Sequence, residues 1–557
     1  MKKALLKPRN LVILAPLLFL LLFYFYPLSQ ILGMSFRPEG AWNFDKVGRL
    51  ITDGYYLKTL WFTTWQAAAS TLLTLALGLP GAWVFATFRF PGKGLLQSLA
   101  TVPFVLPTVV VAAAFHALLG PSGIVNELLM ARLSLAAPPI RLEHTVWFIL
   151  IAHVFFNYTV VLRIVGGFWT HLSPSLGESA QMLGASPFRT FMTVTLPLLR
   201  PAILAAALLV FIFCFSSFGV ILILGGPRFA TIEVEIYRHA VHLFNLPMAA
   251  ALSVVQILFT FLLMWVYTWL QRRTAVVLSP EAAKVTQRPP GNWKERAIVV
   301  GNAALVLGFL GAPLGALLFR SVVTEEGLSL AYYTALFANR EMSIFFVPPG
   351  EAIMNSLGFA AATLVMALVL GLAAATFLAG SRGRLSALLD PLFMLPLSTS
   401  AVTLGFGFVI ALDRPPLNLR TSLILVPLAH TLVAFPFVVR AVLPAMRSIP
   451  KSLREAAQLL GASPFKVWRS VDLPIVGRAL LVGAVFAFTA SIGEFGATVF
   501  VARPQTPTMP LAVYRFLGNP GAMNYGQAMA MSSLLMLVTA AGFLMLERLR
   551  EGQGGEF

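Results

Sequence analysis

Long apolar runs alternate with short breaks rich in Gly, Pro and charge along almost the whole chain. A bilayer's hydrocarbon core, about 30 Å thick, needs roughly 20 apolar residues in helical form. Twelve stretches reach that length: residues 10–32, 57–88, 96–119, 144–168, 201–224 and 248–270, then 297–321, 354–379, 386–412, 420–443, 478–501 and 526–547. The pattern predicts an all-α polytopic membrane protein of about 12 transmembrane helices. The run 57–88 is longer than a span needs, so part of it is expected outside the membrane. The run 10–32 follows a basic start, but it is too long for a signal-peptide core and lacks a following cleavage site, so it reads as a retained helix.

Of the 557 residues, 58% are hydrophobic and 11% charged; soluble domains carry about 45–50% and about 25%. The net charge of +18 would point to nucleic acid on a soluble protein, but this apolar content excludes that partner. Lys and Arg stay cytoplasmic in short loops. With the N-terminus inside, most of the 40 basic residues fall on inside segments, which places both termini in the cytoplasm. The charge is therefore a topological signal. The single cysteine, Cys214, excludes an internal disulfide, a CxxC pair and a cysteine zinc site.

Two inside segments are near copies. Glu178-Ser-Ala-Gln-Met-Leu-Gly184-Ala-Ser-Pro-Phe188 and Glu455-Ala-Ala-Gln-Leu-Leu-Gly461-Ala-Ser-Pro-Phe465 agree at nine of eleven positions, at an offset of 277. The same offset pairs His153 with His430, Arg163 with Arg440, Pro197 with Pro474, and Ser217 with Glu494. Upstream, Gly78 pairs with Gly371 and Pro103 with Pro396 at an offset of 293, the difference fitting a longer outside loop near 120–143. The expected organisation is a first half over 1–270 with its loop at 172–200, a linker over 271–296 containing Pro280 and Pro289-Pro290, and a second half over 297–557 with its loop at 449–477. Six helices per half is an even number, so both loops face one side, as parallel repeats around an axis along the membrane normal. Such a molecule offers two equivalent docking surfaces to a two-fold partner.

Each loop opens with a helix-forming run that breaks at Gly184 or Gly461. Ser186-Pro187 and Ser463-Pro464 then restart a helix, with Ser as N-cap and Pro at the first helical position. Phe188 and Phe465 project from that restart. An ordinary interfacial helix-turn-helix is the plain alternative; two near-identical copies in corresponding places argue against it.

Glu-Ala-Ala, three residues, Gly, and a later Leu-Pro resembles the EAA loop of type I ABC importer permeases. Glu455-Ala456-Ala457, Gly461 and Leu473-Pro474 match in full; Glu178-Ser179-Ala180, Gly184 and Leu196-Pro197 match with Ser for one Ala. The resemblance implies two type I ABC importer permease halves fused in one chain of a bacterial plasma (inner) membrane. It also implies that Glu178, Ala180, Gly184, Pro187 and Phe188, with Glu455, Ala457, Gly461, Pro464 and Phe465, contact a dimer of cytoplasmic ABC ATPase subunits. An extracytoplasmic solute-binding protein would deliver cargo. The chain has no GxxxxGK[ST] loop, so no cofactor is expected in it. ATP and Mg belong to the ATPase partner, and the chain is expected to be no enzyme. Membrane lipid is its remaining contact; neither a catalytic residue nor a metal ligand is expected.

An ionisable group within a span is costly and marks a functional candidate. Glu494 is expected about two-thirds along the eleventh helix, opposite Ser217 in the repeat. With Ser216 and Ser491 these small and polar residues are the candidate solute path. Glu494 facing a cationic solute, and Glu494 bonded to a neighbouring helix or near the outer interface, stand as equal alternatives. His153 and His430 are read as neutral histidines bonded between packed helices, Asp390 as an N-cap-like residue early in the ninth helix, Cys214 as a packing residue, and Pro103, Pro107 and Pro396 as kinks.

Residues 152–157, 214–219, 231–237 and 491–496 resemble the permeases of thiamine and ferric-iron importers, the thiamine branch more closely. Within them, Glu233 and Glu235 are available in an outside segment to meet the binding protein. The competing class is an ion-gradient-driven twelve-helix secondary transporter, which would place a basic signature after the second helix of a half. The loops 89–94 and 381–384 are too short and plain for it. A membrane enzyme would need a motif such as HExxH or GxSxG, and neither is present.

Overall fold

The computed structural model describes residues 12–38, 40–274, 287–338, 347–381, 383–413, 415 and 417–551. The basic N-terminus, Pro280 in the linker and Arg382 lie outside the described residues. Among the described residues, 11 helices are long and apolar enough to cross a membrane, and one bent pair raises the number to 12.

The helices that position the site are α1 (Leu14–Phe36), α2 (Gly54–Thr87), α3 (Lys93–Val105), α4 (Thr108–Leu119), α5 (Val146–Thr170) and α6 (Pro174–Met182). They continue as α7 (Pro187–Phe215), α8 (Leu246–Gln271), α9 (Trp293–Val322), α10 (Glu351–Gly380), α11 (Leu385–Ser398) and α12 (Ala401–Ala411). The last are α13 (Leu425–Ser448), α14 (Lys451–Leu459), α15 (Pro464–Ile492), α16 (Met509–Leu517) and α17 (Ala522–Met545).

The chain divides into two compact units. One holds residues 51–234 and 258–323, the other residues 1–50, 235–257 and 324–557. In the first, α2 meets α5 where Gly78 faces Val161; a Cβ on Gly78 would lie 2.8 Å from Val161 Cβ. In the second, α10 meets α13 the same way, and a Cβ on Gly371 would lie 2.5 Å from Val438 Cγ1. The two contacts are repeat equivalents, because small residues let helix backbones approach closely. The first helix of each repeat packs in the compact unit that carries the other repeat's core. Tyr24 of α1 bonds Thr399 at 2.7 Å, and Arg320 of α9 pairs with Glu127 at 2.6 Å.

Four expected spans are broken. The third, expected over 96–119, is α3 and α4 separated by extended Leu106 and Pro107, since a residue before proline is pushed out of the helical region. The ninth, expected over 386–412, is α11 and α12, bent by 94°. The fifth and eleventh, expected to reach 224 and 501, begin earlier, at Pro187 and Pro464, and end at Phe215 and Ile492. Asp390 is not a cap. It lies inside α11, 3.9 Å from Arg440 and 4.0 Å from Arg447.

The described end of the linker is anchored to the loop after α2. Arg89 N donates to Arg288 O at 2.9 Å and Arg288 N to Thr87 O at 3.1 Å. The Arg288 guanidinium grips Glu295 through two bonds of 2.8 and 2.6 Å. Those bonds hold Arg288 above its ordinary pKa.

Candidate functional site

The two coupling-loop candidates have one geometry. α6 ends at Met182 with Leu183 as its C-cap, and Gly184 follows with φ +87°; α14 ends at Leu459 with Leu460 as its C-cap, and Gly461 follows with φ +81°. In the first copy Gly184 N donates to Gln181 O at 2.9 Å and Ala185 N to Ala180 O at 3.1 Å. In the second, Gly461 N donates to Gln458 O at 2.9 Å and Ala462 N to Ala457 O at 3.0 Å. This paired closure satisfies the last carbonyls of a helix and needs a left-handed residue. A Cβ on either glycine would meet nothing within 4 Å, so the requirement is conformational, not steric.

Ser186 then accepts from Arg189 N at 3.3 Å and Ser463 from Lys466 N at 3.4 Å, with Pro187 and Pro464 at the first helical turn. A π-turn in each copy carries the chain into the long helix, through Phe191–Thr195 and Trp468–Asp472. Glu178 and Glu455 are exposed, and Ala180 and Ala457 half-buried. Phe188 is 72% exposed and Phe465 68%; Leu183 is 90% exposed and Leu460 88%. Met182 and Leu459 are equally bare. Each loop thus presents a small apolar patch at matched positions, the kind of surface that marks an interaction site. The copies differ at one tie. Arg454 Nε donates to Asp472 at 2.6 Å, where the first copy has Gly177 and Thr195.

Deeper in each unit a buried histidine spans three elements. His153 of α5 lies 2.9 Å from Ser70 of α2 through Nδ1 and 2.9 Å from Ser217 through Nε2. His430 of α13 lies 2.8 Å from Ser491 of α15 through Nδ1 and 2.8 Å from Thr498 through Nε2. Ser491 in turn donates to Thr363 of α10 at 3.2 Å. Ser70 and Thr363 are equivalents at the 293 offset; Ser70 bonds its histidine directly, whereas Thr363 reaches His430 through Ser491. Both histidines are bonded between packed helices, as read from the sequence.

Glu494 does not lie within a helix. It occupies the break after α15 and caps the short helix Thr498–Val501. Its carboxylate accepts from Ala497 N at 2.7 Å, Thr498 N at 2.9 Å and the Thr498 hydroxyl at 2.5 Å, and it lies 3.3 Å from His430 Nε2. These partners of the carboxylate all lie within the protein. Ser217 and Ser491 belong to the same histidine networks; Ser216 instead donates to Ile212 O at 2.9 Å. Cys214 is buried, with Asn157 Nδ2 at 3.4 Å from its sulfur. Glu233 and Glu235 are also buried, at 0% and 1% exposure, so neither side chain offers itself to a partner. Glu235 accepts from Arg238 at 2.7 Å.

The repeat reaches further than the sequence reading carried it. Thr63 of α2 accepts from Ile232 N at 3.1 Å, and Ser356 of α10 accepts from Met509 N at 2.8 Å. Both partners are equivalents, at the 293 and 277 offsets.

A family model described as the binding-protein-dependent transport system inner membrane component matches residues 77–276 and again residues 367–551. The thiamine transport system permease protein of Brucella abortus (strain 2308) is 27% identical over 494 residues, covering 88% of this chain and 87% of that protein. A probable ABC transporter permease protein of Sinorhizobium fredii is 26% identical over 547 residues, covering 95% and 94%. The ferric transport system permease protein of Actinobacillus pleuropneumoniae is 26% identical over 546 residues, covering 95% and 76%. A crystal structure of a bacterial ABC transporter involved in the import of the acidic polysaccharide alginate aligns with a TM-score of 0.40 at 18% identity, covering 47% of this chain and 93% of that one.

Proposed function

The chain belongs to the binding-protein-dependent transport system inner membrane components, as a fused two-half permease of an ABC importer, and from that premise we propose thiamine or ferric iron as its cargo. It resides in a bacterial plasma membrane with both termini in the cytoplasm, the side on which the basic residues concentrate. A dimer of cytoplasmic ATPase subunits docks on the two loops, binds the ATP and Mg, and drives the two repeats between inward- and outward-facing states. An extracytoplasmic binding protein delivers the solute.

The duplicated loop carries this reading. Two copies of one helix-Gly-helix, closed by the same bonds, expose Leu183 and Phe188 in one repeat and Leu460 and Phe465 in the other. Exposed leucine and phenylalanine on a turn of fixed backbone shape suit a groove in a partner. Paired copies suit a partner that is itself a two-fold dimer. The preference for thiamine rests on the relatives and on the segments 214–219 and 491–496. Glu494, bonded inside the protein, adds no electrostatic argument for a cation.

The cargo is tested with the solute-binding protein that this reading expects to be encoded near the permease. Titration calorimetry with thiamine and with ferric iron is expected to give micromolar or tighter binding of one of them. Binding of neither contradicts the cargo assignment.

A further inference from the structure

Among the described residues, one pair of repeat equivalents bonds directly to each other. Tyr237 and Tyr514 stand at the 277 offset, their side chains are hydrogen-bonded to each other, and both rings pack against the one segment that carries Phe495 and Phe500. Both belong to the same compact unit. A residue that touches its own repeat mate sits where the repeat operation leaves it almost in place, that is, beside the axis relating the repeats. In a transporter of parallel repeats the solute passes at the repeat interface, so groups that meet on that axis obstruct it.

The surroundings make this pair a built closure. Tyr237 is 6% exposed. Its ring meets Phe500 edge-on at 5.7 Å, and the Tyr514 ring meets Phe495 at 5.4 Å. Phe495 and Phe500 flank the break that Glu494 caps and that His430 ties to α13 and α15. Behind Tyr237, Glu235 grips Arg238 at 2.7 Å and lies 3.7 Å from His239. In chain order both tyrosines follow the ends of α7 and α15 that are remote from the coupling loops. Each ring contact of this kind is individually weak, so ATP-driven rearrangement can undo it.

We propose that Tyr237 and Tyr514 form the closed constriction of the solute path, a four-ring plug with Phe495 and Phe500 that parts when the permease turns outward. Glu494 and His430 act on it indirectly, as positioning residues that hold the break carrying the two phenylalanines. The inference rests on the reading of the chain as an ATP-driven permease.

The test uses the full chain with its ATPase partner, Cys214→Ser removing the native thiol, and Tyr237→Cys with Tyr514→Cys. A short bifunctional thiol reagent is expected to join the two cysteines without nucleotide, and joining is expected to fall about tenfold after trapping with ATP and vanadate. Equal joining in both states would show a fixed packing contact and overturn the proposal, as would no joining in either. Should the double variant fail to assemble, the single Tyr514→Cys chain is probed with a membrane-impermeant thiol reagent. Labelling at least about fivefold faster under vanadate supports the plug, and equal labelling overturns it. If no ATPase accompanies the purified chain, the importer reading itself fails, and the plug with it.

Discussion

The residues whose roles are local were legible in the sequence. Gly184 and Gly461 had to end a helix in the left-handed region, and Ser186 and Ser463 had to cap the next one, because both requirements are met within five residues. Glu494 was not legible in this way. Its helix ends two residues earlier, at Ile492, and its histidine lies 64 positions upstream, so neither the break nor the partner is visible in a hydropathy window. A carboxylate that accepts two backbone N–H bonds and a hydroxyl is a structural group before it is a solute ligand. Glu494→Gln keeps the shape but removes the charge and one acceptor. The account expects a loss of about 1–3 kcal/mol, read as a lowered melting temperature in detergent. Ser217→Ala, at the equivalent and uncharged position, is expected to cost less. A Glu494→Gln chain with unchanged melting but a raised uptake KM would return Glu494 to the solute.

At the scale of elements, the number of spans could be read, but not their breaks. A window of about 20 residues averages across Leu106-Pro107, across the 94° bend between α11 and α12, and across Gly493. The same averaging hid the early start of α7 and α15, which rise directly out of the loops through a π-turn. Each long helix is thereby continuous with the loop it follows, so a push on Phe188 or Phe465 acts on one end of α7 or α15. Among the described residues, an ion pair ties back the second loop alone, Arg454 to Asp472 at 2.6 Å. Removing one partner of a half-buried pair leaves the other uncompensated. Asp472→Asn is therefore expected to speed amide hydrogen exchange over 451–463 severalfold while leaving 174–186 unchanged. Equal change in both loops, or none in either, contradicts this assignment of rigidity.

For the whole molecule, the duplication and the membrane class followed from the sequence, because period and hydropathy survive without tertiary contacts. What packs with what did not follow. The first helix of each repeat joins the compact unit built around the other repeat, and an apolar helix surface does not encode its partner. Under the proposed orientation, the excess charge of +18 marks the face that carries the loops. The central claim is that both loops dock on an ATPase. Photo-crosslinking from Leu183 and from Leu460, each replaced singly by a photoreactive residue in the intact complex, tests it most directly. The account predicts an adduct with the ATPase subunit from both positions, and adducts from neither, in a complex that still transports, would contradict it.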